Sequence, residues 1–104
     1  MNTPMNLKQT LFRIGLAKKA GALIAGTDMV CDGIRQGKVV SVVSSNDVSA
    51  NTAKRISDCS AHHGVRLIIC EAPKEALGAA IGKPYAACVG ITDKNLSELI
   101  CRNL

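Results

Sequence analysis

Two glycines five positions apart, Gly21 and Gly26, bracket Ala22-Leu23-Ile24-Ala25 and lead into Thr27 and Asp28. That spacing opens a phosphate-binding loop, whose chemistry requires lysine and then a hydroxyl residue after the second glycine. Here the lysine position holds Thr27 and the next holds Asp28, whose charge repels phosphate. Nucleotide hydrolysis is not expected. Cys59 and His63 lie four apart, hence on one helix face, and could supply two metal ligands. A zinc site needs three or four, and no second Cys/His pair stands at ligand spacing. The plainer expectation is a half-buried Cys59 with His62 and His63 closing a helix before Gly64. Asp28 with Asp32, and Glu71 with Glu75, sit near helix starts, where acids complement the dipole. No Ser/His/Asp set carries the glycines of a nucleophile elbow. We expect neither an enzyme nor a metal, cofactor or small-molecule substrate.

Two segments are better suited to binding. Gly26-Thr27-Asp28 begins a helix, and free N–H groups at a helix start can donate to phosphate oxygens or to acceptor edges of bases. Gly82-Lys83-Pro84-Tyr85-Ala86 is a short loop before an apolar strand, and Tyr85 is the only tyrosine in the chain. An exposed aromatic beside a lysine can stack on an unpaired base. Equally, Tyr85 could simply cover an edge of the core.

The elements that must hold these segments follow from periodicity and turn residues. Thr3 and Pro4 predict an N-cap and first helical residue, with Leu7, Leu11 and Ile14 at helical spacing and a stop at Gly21. Ala22–Ala25 reads as a short strand. Thr27 and Asp28 cap a second helix carrying Met29, Val30 and Ile34, which Gly37 ends. Lys38–Val43 is a β-branched strand before the turn residues Ser44 to Asp47. Ser49 or Asn51 opens a third helix with Ala53, Ile56 and Cys59 on one face. Val65–Cys70 is a strand, Pro73–Ile81 a helix, Ala86–Ile91 a strand, and Asp93 caps a last helix. Alternating helices with nearly continuous apolar strands predict a three-layer α/β/α sandwich with helices on both faces of the sheet.

The chain of 104 residues is expected to form one domain over 1–104. Its aromatics are Phe12 and Tyr85 alone, which excludes a multi-aromatic platform for single strands. No run approaches the roughly 18 apolar residues of a membrane span, and the N-terminus lacks the order of a secretory signal. Five cysteines, mostly within apolar runs, fit a reducing compartment, the cytoplasm. The net charge is +5, and Lys8, Arg13, Lys18 and Lys19 precede any acid. Such an end suits an anionic partner such as nucleic acid, or simply a soluble surface with lysines near a helix C-terminus.

Several segments carry a resemblance. They are Gly15–Gly21, Gly21–Thr27, Ile34-Arg35-Gln36-Gly37-Lys38-Val39 with the β-branched strand after it, and Leu77-Gly78-Ala79-Ala80-Ile81-Gly82-Lys83. Together they resemble the kink-turn RNA-binding ribosomal proteins L7Ae and L30e, and most closely their small bacterial YlxQ-like branch, over roughly residues 11–100. The resemblance implies a mixed four-stranded sheet and an RNA-binding edge built from the second helix start and the loop after the fourth helix. The implied target is a sharply bent, kink-turn-like internal loop in structured RNA, ribosomal RNA among the candidates. The family's Gly-x-Asn-Glu-x-x-Lys pattern falls on Gly26 to Asp32. Gly26 matches, Asp28 replaces an amide and keeps only acceptors, Met29 replaces an acid, and Asp32 reverses a lysine. Thr27, Lys83, Pro84, Tyr85 and Ala86 complete the implied edge, with Lys18, Lys19 and Lys38 as cations expected to gather around it. The alternative on the same scaffold is a protein-interaction module of the translation machinery without kink-turn recognition.

Overall fold

The computed structural model describes residues 7–102. Its elements run α1 (Leu7–Lys19), β1 (Leu23–Ala25), α2 (Thr27–Arg35), β2 (Ser41–Ser44), α3 (Ala50–His62), β3 (Arg66–Ile69), α4 (Lys74–Ala80), β4 (Cys88–Ile91) and α5 (Lys94–Cys101). Thr3 and Pro4, expected to start the first helix, lie outside the described residues. The strands pair in the order β1-β4-β2-β3. β4 is antiparallel to both neighbours and β2 is parallel to β3, so the sheet is mixed.

Side chains of a strand alternate between faces, and the two central strands use both. Val43, Val89 and Ile91 pack with Ile14 and Ala17 of α1, Leu77 of α4 and Ile100 of α5. Val42 and Cys88 point the other way, onto Val30 and Ile34 of α2 and Ile56 of α3. Helices thus cover both faces, and β2 and β4 are buried along their whole length. β3 is an edge strand, with Arg66 and Ile69 exposed. The expected α/β/α sandwich is the observed one.

Several boundaries differ for local reasons. β2 starts three residues later than the apolar run, because the N–H groups of Lys38 and Val39 turn back to the Gly33 carbonyl at 2.8 and 3.3 Å. Only at Val40 does the chain reach β4, donating to the Ile91 oxygen. β4 starts at Cys88, since the Ala86 N–H donates to the Lys74 carbonyl rather than to a strand. On α3, Ser49 is the N-cap and accepts from the Thr52 N–H, but the buried positions are Ile56 and Ser60, four apart, while Ala53 is exposed. Cys31, Cys70, Cys88 and Cys101 are buried, Cys59 is half-buried, and all five are free thiols.

One consequence of this topology matters for function. Ala25 of β1 pairs with Val89, Ser44 of β2 with Cys88, and Ile69 of β3 with Ser44. The ends of β1, β2 and β3 therefore lie along one edge of the sheet, beside the start of β4. The helices that follow them, α2, α3 and α4, all begin there.

Candidate nucleic-acid interface

The α2 start is built on Gly26 rather than on the expected side-chain cap from Thr27 or Asp28. Gly26 has φ +98°, a conformation that favours glycine, and its N–H donates to the Cys88 carbonyl at 3.1 Å. The chain turns from β1 into the helix within one residue, and the Gly26 carbonyl accepts the Val30 N–H at 2.9 Å. Among the described residues no side-chain hydrogen bond caps this end. The first-turn N–H groups of Thr27, Asp28 and Met29 therefore stay outside the helical ladder, at the positive pole of the helix.

Facing this start is the segment after α4. Gly82 turns the chain at φ +76°, and the Lys83 N–H donates back to the Gly78 carbonyl at 2.9 Å. The backbone then runs against α4 so closely that a Cβ on Gly78 would lie 2.4 Å from the Tyr85 Cα. Glycine at position 78 is what lets Tyr85 sit here. Asp47 holds the other end of α4 by accepting from the Lys74 N–H at 3.0 Å. With its backbone pinned, Tyr85 projects its side chain outward and is 65% exposed. It does not cover the core edge; Ala86, which is buried, does that.

The two segments meet across a shallow cavity of about 260 Å³ lined by Gly26, Thr27, Lys83, Tyr85, Ala86 and their neighbours. Met29 is exposed in the first turn of α2. Pro84 is exposed in the loop. The carboxylates of α2 are engaged: Asp28 pairs with Arg55 of α3 at 2.5 Å and Asp32 with Arg35 at 2.9 Å. Asp28 in turn holds the Arg55 guanidinium more firmly protonated, mainly through their hydrogen bond. Asp32, which stands where the resemblance implies a lysine, is thus ion-paired within the protein. Arg35 stands three residues from Asp32, so this pair was legible as helical spacing. Arg55 was not, because it comes from another helix.

The lysines do not gather around this cavity as expected. Lys83 lines it. The Lys18 carbonyl accepts the Gly21 N–H just before β1, and Lys38 follows α2, at the end of the sheet where Leu23 and Ser41 pair with Ile91. From that end to the Gly26 edge is the length of β4, about 10 Å. Lys19 lies farther along α1, flanking a groove against α4.

The other constellations resolve plainly. His63 ends α3 and its Nδ1 lies 3.1 Å from the Cys59 carbonyl oxygen, so the ring engages backbone. Among the described residues no three His, Cys, Asp or Glu side chains gather as a metal site, and no helix is long and apolar enough to cross a membrane. Burial raises the thiol pKa of Cys31, Cys70 and Cys88, that of Cys88 to about 11, which keeps these thiols protonated and poorly nucleophilic.

Comparison with known proteins identifies the family and the fold. Over 85 residues the chain is 32% identical to the RNA-binding protein YlxQ of Bacillus subtilis (strain 168), covering 82% of this chain and 84% of that protein. Over 93 residues it is 33% identical to the RNA-binding protein YlxQ of Enterococcus faecium, covering 89% and 88%. A protein of unknown function from Bacillus halodurans superposes with a TM-score of 0.86 at 26% identity, over 91% of this chain and 95% of that one. The Giardia lamblia 15.5kD RNA binding protein has the same fold, with a TM-score of 0.81 at 17% identity over 99% and 87%. Both YlxQ relatives are RNA-binding proteins, not enzymes. A family model matches residues 8–100, and the chain belongs to the Ribosomal protein L7Ae/L30e/S12e/Gadd45 family.

Proposed function

We propose that this chain is a small RNA-binding protein of the translation machinery, one domain across residues 1–104, which works in the cytoplasm and grips a kink-turn-like bend in structured RNA such as ribosomal RNA. The observation that carries the reading is the meeting of the uncapped α2 start with the exposed Tyr85 and Lys83 across one cavity. RNA sequence is read where nucleotides are splayed out of the A-form helix, since only there are base edges and faces accessible. On this reading the N–H groups around Thr27 donate to base or phosphate acceptors, and Asp28 accepts from a guanine N–H. Tyr85 stacks on the extruded base while Lys83 meets phosphate. Pro84 and Met29 supply apolar contact, and Ala86 forms the floor. Lys18, Lys19 and Lys38 add only long-range attraction for the polyanion, given their distance from the cavity.

A second reading, a protein-interaction module without kink-turn specificity, has its own support. Met29 is exposed where the resemblance implies an acid, and both α2 carboxylates are paired with arginines. Titration of the purified protein with a kink-turn RNA and an unbent duplex, each at two salt concentrations, separates the two. Specific recognition predicts tighter binding of the bent RNA at both salts. Equal affinities would remove specificity, and no binding even at low salt would leave the interaction module.

A further inference from the structure

The outer face of α1 is unlike the rest of the surface. The helix turns Thr10, Ile14 and Ala17 into the core. Lys8, Phe12, Leu16 and Lys19 lie on another face, along the small residues Ala76, Ala79 and Ala80 of α4. They border an open, mostly apolar groove of about 560 Å³, larger than the cavity beside Tyr85. Its floor is shallow because the helices nearly touch: a Cβ on Gly15 would lie 2.9 Å from the Ala80 carbonyl oxygen. Phe12, the only phenylalanine, is 66% exposed here, and Leu16 is also exposed. Large apolar side chains clustered on a charged surface mark an interaction site rather than ordinary exposure.

Charge identifies the occupant. Lys8 and Lys19 stand at the two ends of the groove, eleven residues apart, which is about 16 Å along a helix. Neither has an ion-pair partner among the described residues, and no acid lines the groove. α1 itself carries Lys8, Arg13, Lys18 and Lys19 and no acid, so a second copy packed across this face would set cation against cation. RNA would find Lys8 and Lys19 for phosphate and Phe12 for one base face, but between the lysines the groove offers no side-chain hydrogen bond to read a base edge. A partner helix of about three turns fits on all counts, its apolar stripe on Phe12 and Leu16 and its carboxylates on the lysines. We propose that the α1–α4 groove docks an amphipathic protein helix bearing acidic residues at both ends of its apolar stripe. The site is separate from the proposed RNA contact, since none of its lining residues borders the Gly26–Tyr85 cavity, and it shares with that reading only the long-range charge of Lys19.

The test uses the full chain and labelled helical peptides of about 15 residues. One carries a leucine stripe with glutamates at both ends, the second has lysines in place of the glutamates, and the third a scrambled stripe. The glutamate peptide is expected to bind at least about tenfold more tightly than the others. The double variant Phe12→Ala, Leu16→Ala should lose about tenfold in that affinity while keeping its thermal midpoint and RNA affinity. Lys8→Glu with Lys19→Glu should reverse the preference to the lysine peptide. No binding, equal binding of the peptides, or binding indifferent to Phe12 and Leu16 would overturn the proposal. So would loss of RNA binding in Phe12→Ala, which would hand the groove to RNA. A dimer in sedimentation equilibrium that Phe12→Ala dissolves would hand it to a second copy.

Discussion

Tyr85 combines a closely packed backbone with an exposed ring. Because the ring is exposed, its removal has little folding cost, so a change in RNA affinity reports contact directly. Tyr85→Ala should weaken binding of a bent RNA by about 1–3 kcal/mol, the worth of one base stack. The thermal midpoint should stay where it was. Titration alongside a melt checks both; unchanged affinity in a folded variant removes the stacking role. The buried thiols make a prediction of a different kind. Burial raises the Cys88 pKa from 9.0 to about 11, and Cys31 and Cys70 move the same way. Above pH 9 the unfolded chain releases these protons while the folded chain keeps them, so stability must fall between about pH 9 and 11. Urea midpoints across that window should decline, and Cys88→Ala should make the decline shallower.

At the scale of elements, the loop that carries Tyr85 depends on α4 having no side chain at Gly78. Adding one methyl there places it 2.4 Å from backbone, which cannot move aside as a flexible side chain could. Gly78→Ala should therefore cost about 1–3 kcal/mol of stability by overpacking. It should also weaken RNA binding by displacing Lys83 and Tyr85, although position 78 faces no ligand. Denaturation and RNA titration of the same variant check the pair, and a variant that loses stability alone would show the loop to be dispensable. α3 offers the opposite case. Ser60 is buried and its hydroxyl has no hydrogen-bond partner among the described residues. Ser60→Ala removes that desolvated group and improves helix propensity, so it should stabilise the protein by about 1 kcal/mol, read as a shifted urea midpoint.

For the whole molecule, the balance of charge decides how strongly a polyanion is drawn in and from which side. The α2–α3 face is nearly neutral, with Asp28, Asp32 and Asp58 paired to Arg55, Arg35 and Lys54. The positive excess lies instead on α1. Affinity for RNA should fall with salt, and a weak slope is expected because few cations reach the cavity. Asp32→Lys changes this face by two charges and releases Arg35 from its partner. It should tighten RNA binding and steepen the salt slope by about 1–2, if the α2 face meets phosphate. A slope unchanged by that variant would direct the search for the RNA track to α1.

What the linear chain determined by itself was everything written in short-range repetition. The order of the elements, the sandwich and the Asp93 cap follow from apolar period, β-branching and turn residues, which act within a few residues of each other, while the α3 start was narrowed to Ser49 or Asn51. Met29 and Asp32 were visible as departures from the family pattern for the same reason. Only the tertiary structure decided which ends coincide. The antiparallel placement of β4 brings Cys88 beside Gly26, hence Tyr85 to the α2 start, and the same placement leaves Lys18 and Lys38 about a strand length away. The Asp28–Arg55 pair likewise needs α2 and α3 side by side on one face of the sheet. Such contacts depend on strand order and direction, which are set by the energy of the whole packed sheet and leave no mark in any one stretch of residues.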